Sequence, residues 1–294
     1  MNTPEIRLLQ PGDEAALEAF LQPRVESSMF LIGNMRSVGL VDQGRPYQGT
    51  YAAAFEGDRV VSVVAHYWNR VLVFQALAQL DVLWRKAVAA SKRPVEGLIG
   101  PDDQVSAVII KLDINESAIQ VDEASKLYSL DLGDMLVPDD LSAGAVFGRR
   151  IQPRDVELVT EWRVAYEIEL LGEADSPQLH EECRTAIQRS LEEGCTWVLE
   201  CQGQLVSCSS FNTAIKEAVQ VGGVYTPPEL RRRGYGRAVV AASLLDAQAE
   251  GVGKAILFTG VDNIAAQRAY EVLGFRHIDD YRMLLLRSPL ESAS

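Results

Sequence analysis

The most constraining stretch of the chain is Val224-Tyr225-Thr226-Pro227-Pro228-Glu229-Leu230-Arg231-Arg232-Arg233-Gly234-Tyr235-Gly236-Arg237-Ala238. The run before it, residues 218–225, reads as a strand. Two consecutive prolines must end that strand, because neither can donate a ladder hydrogen bond. Residues 234–250, with Val240, Leu244 and Ala247 on one face, read as a helix. A strand that stops and a helix that starts across a basic, glycine-bearing turn make an anion site. The first N–H groups of the helix have no partner within it and lie at the positive end of its dipole. Gly234 and Gly236 let the backbone approach a ligand without a Cβ in the way, and Arg231, Arg232, Arg233 and Arg237 add positive charge. A diphosphate is the natural occupant; the alternative is a plain turn carrying a solvated arginine cluster. No Gly-Lys-Ser/Thr follows, so the turn is not a P-loop.

Around this turn the second half reads as helices at 155–171 and 179–193 and strands at 195–200 and 205–211 about Gln202-Gly203. The strand 218–225, the long helix, a strand at 255–258, a helix at 264–273 and closing strands from 276 through 286 follow. Antiparallel strands succeeded by a β-α-β-α-β run predict a mixed α/β layer fold. The first half shows the same order: strands at 51–55, 60–67 and 71–74, a helix at 77–90, a strand at 95–99, a helix at 103–111 and a strand at 128–132. Both halves open alike. Ile6-Arg7-Leu8-Leu9-Gln10-Pro11 and Val146-Phe147-Gly148-Arg149-Arg150-Ile151-Gln152-Pro153 are each a short strand, then Gln-Pro, then an acidic residue entering a helix. Residues 136–144 break the apolar periodicity and read as a linker. The expected domains are therefore 1–143 and 144–294.

The pair Arg231-x-x-Gly234-x-Gly236 and Asn263-x-x-Ala266-x-x-x-Tyr270-x-x-x-Gly274-Phe275 resembles the signature of the GNAT superfamily of acyl-CoA-dependent N-acetyltransferases. The likeness spans essentially the whole second half. It implies two GNAT-like domains, each a mixed, mostly antiparallel twisted sheet with a strand splay, flanked by helices. It also implies acetyl-CoA as co-substrate, its pyrophosphate on the amides of Arg232, Arg233, Gly234, Tyr235, Gly236 and Arg237. Main-chain groups of Val224, Tyr225 and Thr226 would pair with the pantetheine arm. Gly222-Gly223 fits that expectation, since glycine inside a strand marks a bulge or a close backbone approach. The resemblance makes Asn263 a CoA contact as well as an N-cap, and Tyr270 the acid that protonates the departing thiolate. A thiol of this kind titrates near ~8.5, so a phenol in reach can supply the proton. Where some relatives carry a glutamate base, this chain has Phe258; Glu217, Asp262 or an ordered water remain as candidates. Glu167, Glu169, Glu173 and Asp175 could line a pocket for a cationic acceptor. The first half has no glycine or arginine turn after Val71-Leu72-Val73-Phe74 and reads as a degenerate copy.

Composition narrows the rest. With 28 Lys+Arg against 41 Asp+Glu, a net charge of −13 argues against a general nucleic-acid binder. No apolar run reaches membrane-helix length, and Met1 to Arg7 shows no leader pattern, so a cytoplasmic protein without membrane partners is expected. The four cysteines have no C-x-x-C spacing and the three histidines are scattered, which predicts no metal site. The expected activity is transfer of acetyl from acetyl-CoA to a primary amine of a small cationic molecule, by direct attack in a monomer or homodimer. A protein or peptide N-acetyltransferase and a non-catalytic acyl-CoA sensor are the alternatives.

Overall fold

The computed structural model describes residues 4–290; Met1 to Thr3, part of the expected leaderless start, lie outside them, as do residues 291–294 of the expected second domain. In chain order the elements are β1 (Glu5–Leu8), α1 (Glu14–Leu21), α2 (Val25–Val38), β2 (Gly49–Glu56), β3 (Arg59–Tyr67), β4 (Val71–Ala76), α3 (Leu80–Ser91), β5 (Val95–Pro101), α4 (Asp102–Lys111) and β6 (Ile119–Asp131). Then follow α5 (Asp139–Ser142), β7 (Phe147–Arg150), α6 (Val156–Leu171), α7 (Pro177–Glu193), β8 (Thr196–Cys201), β9 (Gln204–Ala214), β10 (Ala218–Tyr225), α8 (Tyr235–Ala249), β11 (Lys254–Gly260), α9 (Ile264–Val272) and β12 (Arg276–Leu290).

The chain forms two compact units. One holds the described residues up to Leu127 together with those from Asp279 onward, and the other holds Tyr128–Ile278. In the first unit the strands run β1-β2-β3-β4-β5-β12, antiparallel except for the parallel pair β4–β5. Its core joins Leu72, Phe74, Leu83, Trp84, Leu98 and Val105 to Leu284 and Leu286 of β12. In the second unit the order is β6-β11-β10-β9-β8-β7, with β10–β11 parallel. Its main core sets Tyr128 and Leu130 of β6 against Val240, Leu244, Leu257 and Leu273. The first unit thus includes β12 from Asp279 onward, and the second includes the end of β6 from Tyr128. These units do not follow the boundary expected between residues 143 and 144.

Two sequence expectations need correction in detail. The strand expected at 128–132 begins at Ile119, and the closing strands are one strand reaching Leu290. The first stretch of β6 alternates exposed and half-buried residues, so it lacks the apolar run that would announce it. Within the expected linker, residues 139–142 form the short α5.

The repeated opening is a repeated hydrogen-bond pattern. In the first unit Arg7 clasps Asp13 through both guanidinium nitrogens at 2.6 and 2.7 Å, and the Gln10 N–H donates to the same carboxylate at 2.9 Å. In the second, Arg149 clasps Asp155 at 2.6 and 3.1 Å, and the Gln152 N–H donates at 2.7 Å. The Arg-x-x-Gln-Pro-x-Asp spacing sends the strand's arginine back onto the carboxylate that starts the next helix, fixing their angle in both units. Burial alone would raise the Asp155 carboxyl, but Arg149 and the Gln152 amide hold it below the usual carboxylate range. A depressed folded value means the clasp stabilises fully at neutral pH and is lost as pH falls below about 4. Asp155→Ala should cost about 2 kcal/mol by leaving Arg149 with Glu200 as its remaining carboxylate partner and the Gln152 N–H without its acceptor. Urea unfolding at pH 7 checks this, and a loss under about 0.5 kcal/mol, the range of an ordinary surface change, would contradict it.

Candidate active site

The site begins where β10 leaves its neighbours. β10 pairs with β11 only from Ala218 to Gln220, opposite Lys254 to Ile256, although β10 continues to Tyr225 and β11 to Gly260. On its other side the register with β9 shifts between Gln220 and Val221 and again between Gly222 and Tyr225. Gly223 has φ +57°, a backbone that side-chain-bearing residues rarely adopt. The Asn212 side chain lies over Gly222, where a Cβ would fall 2.1 Å from its amide nitrogen. The glycine pair therefore does two jobs: Gly223 makes the bulge and Gly222 leaves room for Asn212. Beyond it the two parallel strands part and open a slot.

At the mouth of the slot lies the basic turn. Pro228–Leu230 make one 3-10 turn, Arg232 and Gly234 take left-handed φ of +64° and +80°, and α8 starts at Tyr235. The first capping bond of α8 is Ala238 N–H to the Gly234 carbonyl at 3.0 Å. Among the described residues, no main-chain or side-chain acceptor meets the amides of residues 232–237, and no side chain caps α8. By contrast, Ser176 and Asn263 cap their own helices. A Cβ on Gly236 would sit 3.4 Å from Thr226 Oγ1 and 3.8 Å from Val224 Cγ1, so a larger side chain there enters the space beside the strand end. Arg237 folds its guanidinium against Gly234 and buries its Nε without a partner.

The arginines differ in their employment. Arg231 grips Glu169 of α6 at 2.7 and 2.6 Å and donates from Nε to the Thr226 carbonyl at 2.9 Å. The two side chains hold each other charged, Arg231 pushed up and Glu169 down. Arg231 is thus a fastener for the turn, with its charge largely spent. Arg232 and Arg233 are exposed, and Arg233 reaches the Glu229 carbonyl at 3.5 Å. Tyr235 donates to Cys201 Sγ at 3.5 Å. Of the three residues before the prolines, Tyr225 and Thr226 already have engaged carbonyls, from Ser207 Oγ at 2.8 Å and from Arg231. Val224, inside the register gap, is the best placed to meet an extended ligand.

Across the slot, Asn263 accepts from the Ala266 N–H at 3.1 Å as an N-cap and is exposed. Tyr270 is buried on α9, its ring edge-on to Phe275 at 6.0 Å. Burial, with a smaller contribution from Tyr166 of α6, pushes its phenol well above the ordinary value of 10. The phenol therefore keeps its proton throughout the neutral range. Arg163 lies over the Tyr166 ring at 5.2 Å and is ion-paired to Glu167, and its Nη1 comes 3.4 Å from where a Cβ on Gly223 would stand. Sequence reasoning missed Arg163, Tyr166 and Asn212; the i, i+4 spacing of Arg163 and Glu167 was the available signal.

The remaining acidic candidates are spent or distant. Glu169 serves Arg231, and Asp175 bonds His180 at 2.9 Å. Glu217 lies before β10 on the turn from β9, six residues from Gly223 and about 20 Å away at strand rise. Asp262 is exposed in the turn before α9, and Phe258 is half-buried on β11. All four cysteines are free, with burial pushing Cys208 up to about 12, far from a thiolate nucleophile. Among the described residues no group of three or more His, Cys, Asp or Glu is placed to hold a metal, and no helix is long and apolar enough to cross a membrane.

The matching turn of the first unit is built differently. After β4 the Ala76 N–H donates to Gln104 Oε1 at 2.7 Å and the Ala78 N–H to Ser62 Oγ at 2.9 Å. Gly100 of β5 lies so close to Phe74 of β4 that a Cβ there would come 3.0 Å from the Phe74 Cβ. β4 and β5 also pair over three residues, Val71–Val73 against Gly97–Ile99, but Gly100 stays beside Phe74 and the Ala76 and Ala78 amides are taken.

Comparison with known proteins agrees with this geometry. The family model "Acetyltransferase (GNAT) family" matches residues 157–275. No curated protein matches the chain. Among solved structures, a Drosophila protein aligns with a TM-score of 0.68 at 13% identity over 96% of this chain and 98% of its own. A tandem GNAT protein from the clavulanic acid biosynthesis pathway aligns at 0.57 and 16% identity over 99% of both chains. A GCN5-related N-acetyltransferase from Kribbella flavida aligns at 0.54 and 20% over 90% of this chain and 95% of its own. The fold is the one expected, two GNAT-like domains of mixed sheet and flanking helices.

Proposed function

We propose, from the match of residues 157–275 to the GNAT acetyltransferase family model, that the chain is an acetyl-CoA-dependent N-acyltransferase with its reaction centre in the second unit. The observation that carries this reading is the row of unmet amides at 232–237, beside a slot opened by the parting of β10 and β11. Along the chain, residues 1–143 are the degenerate copy and 144–294 the cofactor-binding one, with the end of β6 falling in the second unit and β12 from Asp279 in the first.

Acetyl-CoA supplies an activated acyl thioester. The chain's part is to bind, orient and donate. The amides of Arg232, Arg233, Gly234, Tyr235, Gly236 and Arg237 hold the pyrophosphate, with the helix dipole and the Arg237 guanidinium behind them. Val224, with the N–H groups of Tyr225 and Thr226, aligns the pantetheine arm as an added strand, and Asn263 contacts the cofactor from the start of α9. A main-chain N–H at the bulge polarises the thioester oxygen. The acceptor, a primary amine in its neutral form, attacks the thioester carbon; the C–N bond forms as the C–S bond breaks, Tyr270 gives its proton to the leaving sulfur, and the proton shed by the nitrogen returns to the phenol through solvent. The cationic acceptor considered from sequence has less to rest on, because Glu169 and Asp175 are engaged elsewhere. A second reading, an acyl-CoA-binding module without turnover, is favoured by Phe258 standing where a base is found in some relatives. Release of CoA in the presence of an amine panel separates the two.

Gly236→Glu should abolish CoA binding, by bulk against Thr226 and by like charge; calorimetry showing retained binding would contradict the loop assignment. Tyr270→Phe should lower kcat at least about tenfold, a floor set below the roughly 10²–10⁴-fold a general acid contributes, while leaving CoA affinity within about twofold. An unchanged kcat would remove Tyr270 from the mechanism. Because burial raises the Tyr270 phenol, its deprotonation should not depress the rate at any pH below about 10. A pH–rate profile that falls between pH 8 and 9 in the wild type, but not in Tyr270→Phe, would contradict that role.

A further inference from the structure

Resting on the acyltransferase reading, we propose that the acceptor amine also carries a carboxylate, so that the substrate is an amino acid bound as a zwitterion between Arg163 and Glu167. Several charges along α6 and the segment after it are engaged away from the slot: Glu157 is held by Arg184 at 2.9 Å, Glu169 by Arg231 and Asp175 by His180. Next to the Gly223 bulge stands Arg163, ion-paired to Glu167 a single helical turn along α6.

Their pairing is incomplete on the arginine side. The nearest contact of Glu167 is with Nη2. Among the described residues, Nη1 and Nε of Arg163 donate to no protein acceptor, and Nη1 faces Gly223. A guanidinium presents five donors in a flat fork suited to both oxygens of a carboxylate. Here the Tyr166 ring lies beneath that fork. The Arg163 side chain is 33% exposed and Glu167 is 13% exposed, so the fork can be reached while the carboxylate is largely enclosed. The Asn212 amide over Gly222 and Ser210 Oγ, 3.6 Å from the Cβ position of Gly223, bring neutral polar groups to the same place.

Charge complementarity then selects the ligand. A simple amine cation would meet the Arg163 guanidinium as a like charge. A plain carboxylate would meet Glu167 in the same way. A zwitterion satisfies both and adds no net charge to a partly desolvated site. Its carboxylate on Arg163 sets the register of its nitrogen beside Gly223, where the strands open.

The test is calorimetry on the full chain saturated with CoA, titrated with the common protein amino acids and with cadaverine, tyramine and tryptamine. At least one amino acid should bind, and do so at least about tenfold more tightly than its decarboxylated counterpart, the scale of one charge-assisted interaction. Arg163→Gln should erase that preference with CoA affinity unchanged, which shows that the variant is folded, and Arg163→Lys should restore part of it. Equal or tighter binding of the amines, a preference that survives Arg163→Gln, or no amino acid binding at all would overturn the proposal. The CoA titration is read separately: failure to take up CoA would overturn the cofactor reading, while the amino acid titrations run without CoA still judge the acceptor.

Discussion

The site depends on one constraint in the sheet: β10 stays paired with β11 for three residues and then cannot continue. A parallel pair would normally go on pairing, since unpaired strand amides and carbonyls are costly unless something meets them. Here Gly223 turns the chain through a left-handed φ, the register with β9 slips, and Asn212 occupies the space over Gly222. From that point Val224 has no register partner in β9 or β11, and two prolines prevent the strand from reaching a new one. The same departure places the start of α8 at the slot mouth with its amides unmet.

The two units show how one fold can keep or discard such a site. Both open with the same arginine–aspartate clasp and the same Gln-Pro step, and both carry a parallel pair beside an antiparallel hairpin. They differ in who meets the amides after the central strand. In the first unit Gln104 takes that of Ala76 and Ser62 that of Ala78, and Gly100 lets β5 press against Phe74. In the second no protein group does. A helix or turn end without internal acceptors is tolerated where water or a ligand serves it. The difference between the units is therefore one of hydrogen-bond accounting, with the element order unchanged.

Much of this was legible in the sequence because it rests on local rules. Pro227-Pro228 ended β10, Asn263 capped α9, Arg231-x-x-Gly234-x-Gly236 marked the turn, and the paired Gln-Pro openings marked the repeat. What escaped depends on partners distant in the chain. Arg231 reads as a phosphate ligand until Glu169, 62 residues away, is seen to hold it. Arg163 reads as one half of a surface helix pair until the bulge is found beside it. β6 was read short because its first stretch alternates polar and half-buried residues, and the crossing of β6 and β12 from one unit to the other leaves no trace in any local pattern.

The central claim is that the amides of residues 232–237 are unmet because they are reserved for a diphosphate. Amide proton–nitrogen spectra recorded while CoA is added read those groups one at a time. The account predicts the largest displacements at 232–237, with residues 76–80 of the first unit left unmoved. Displacements centred on 76–80, or none at 232–237 with CoA in excess, would contradict it.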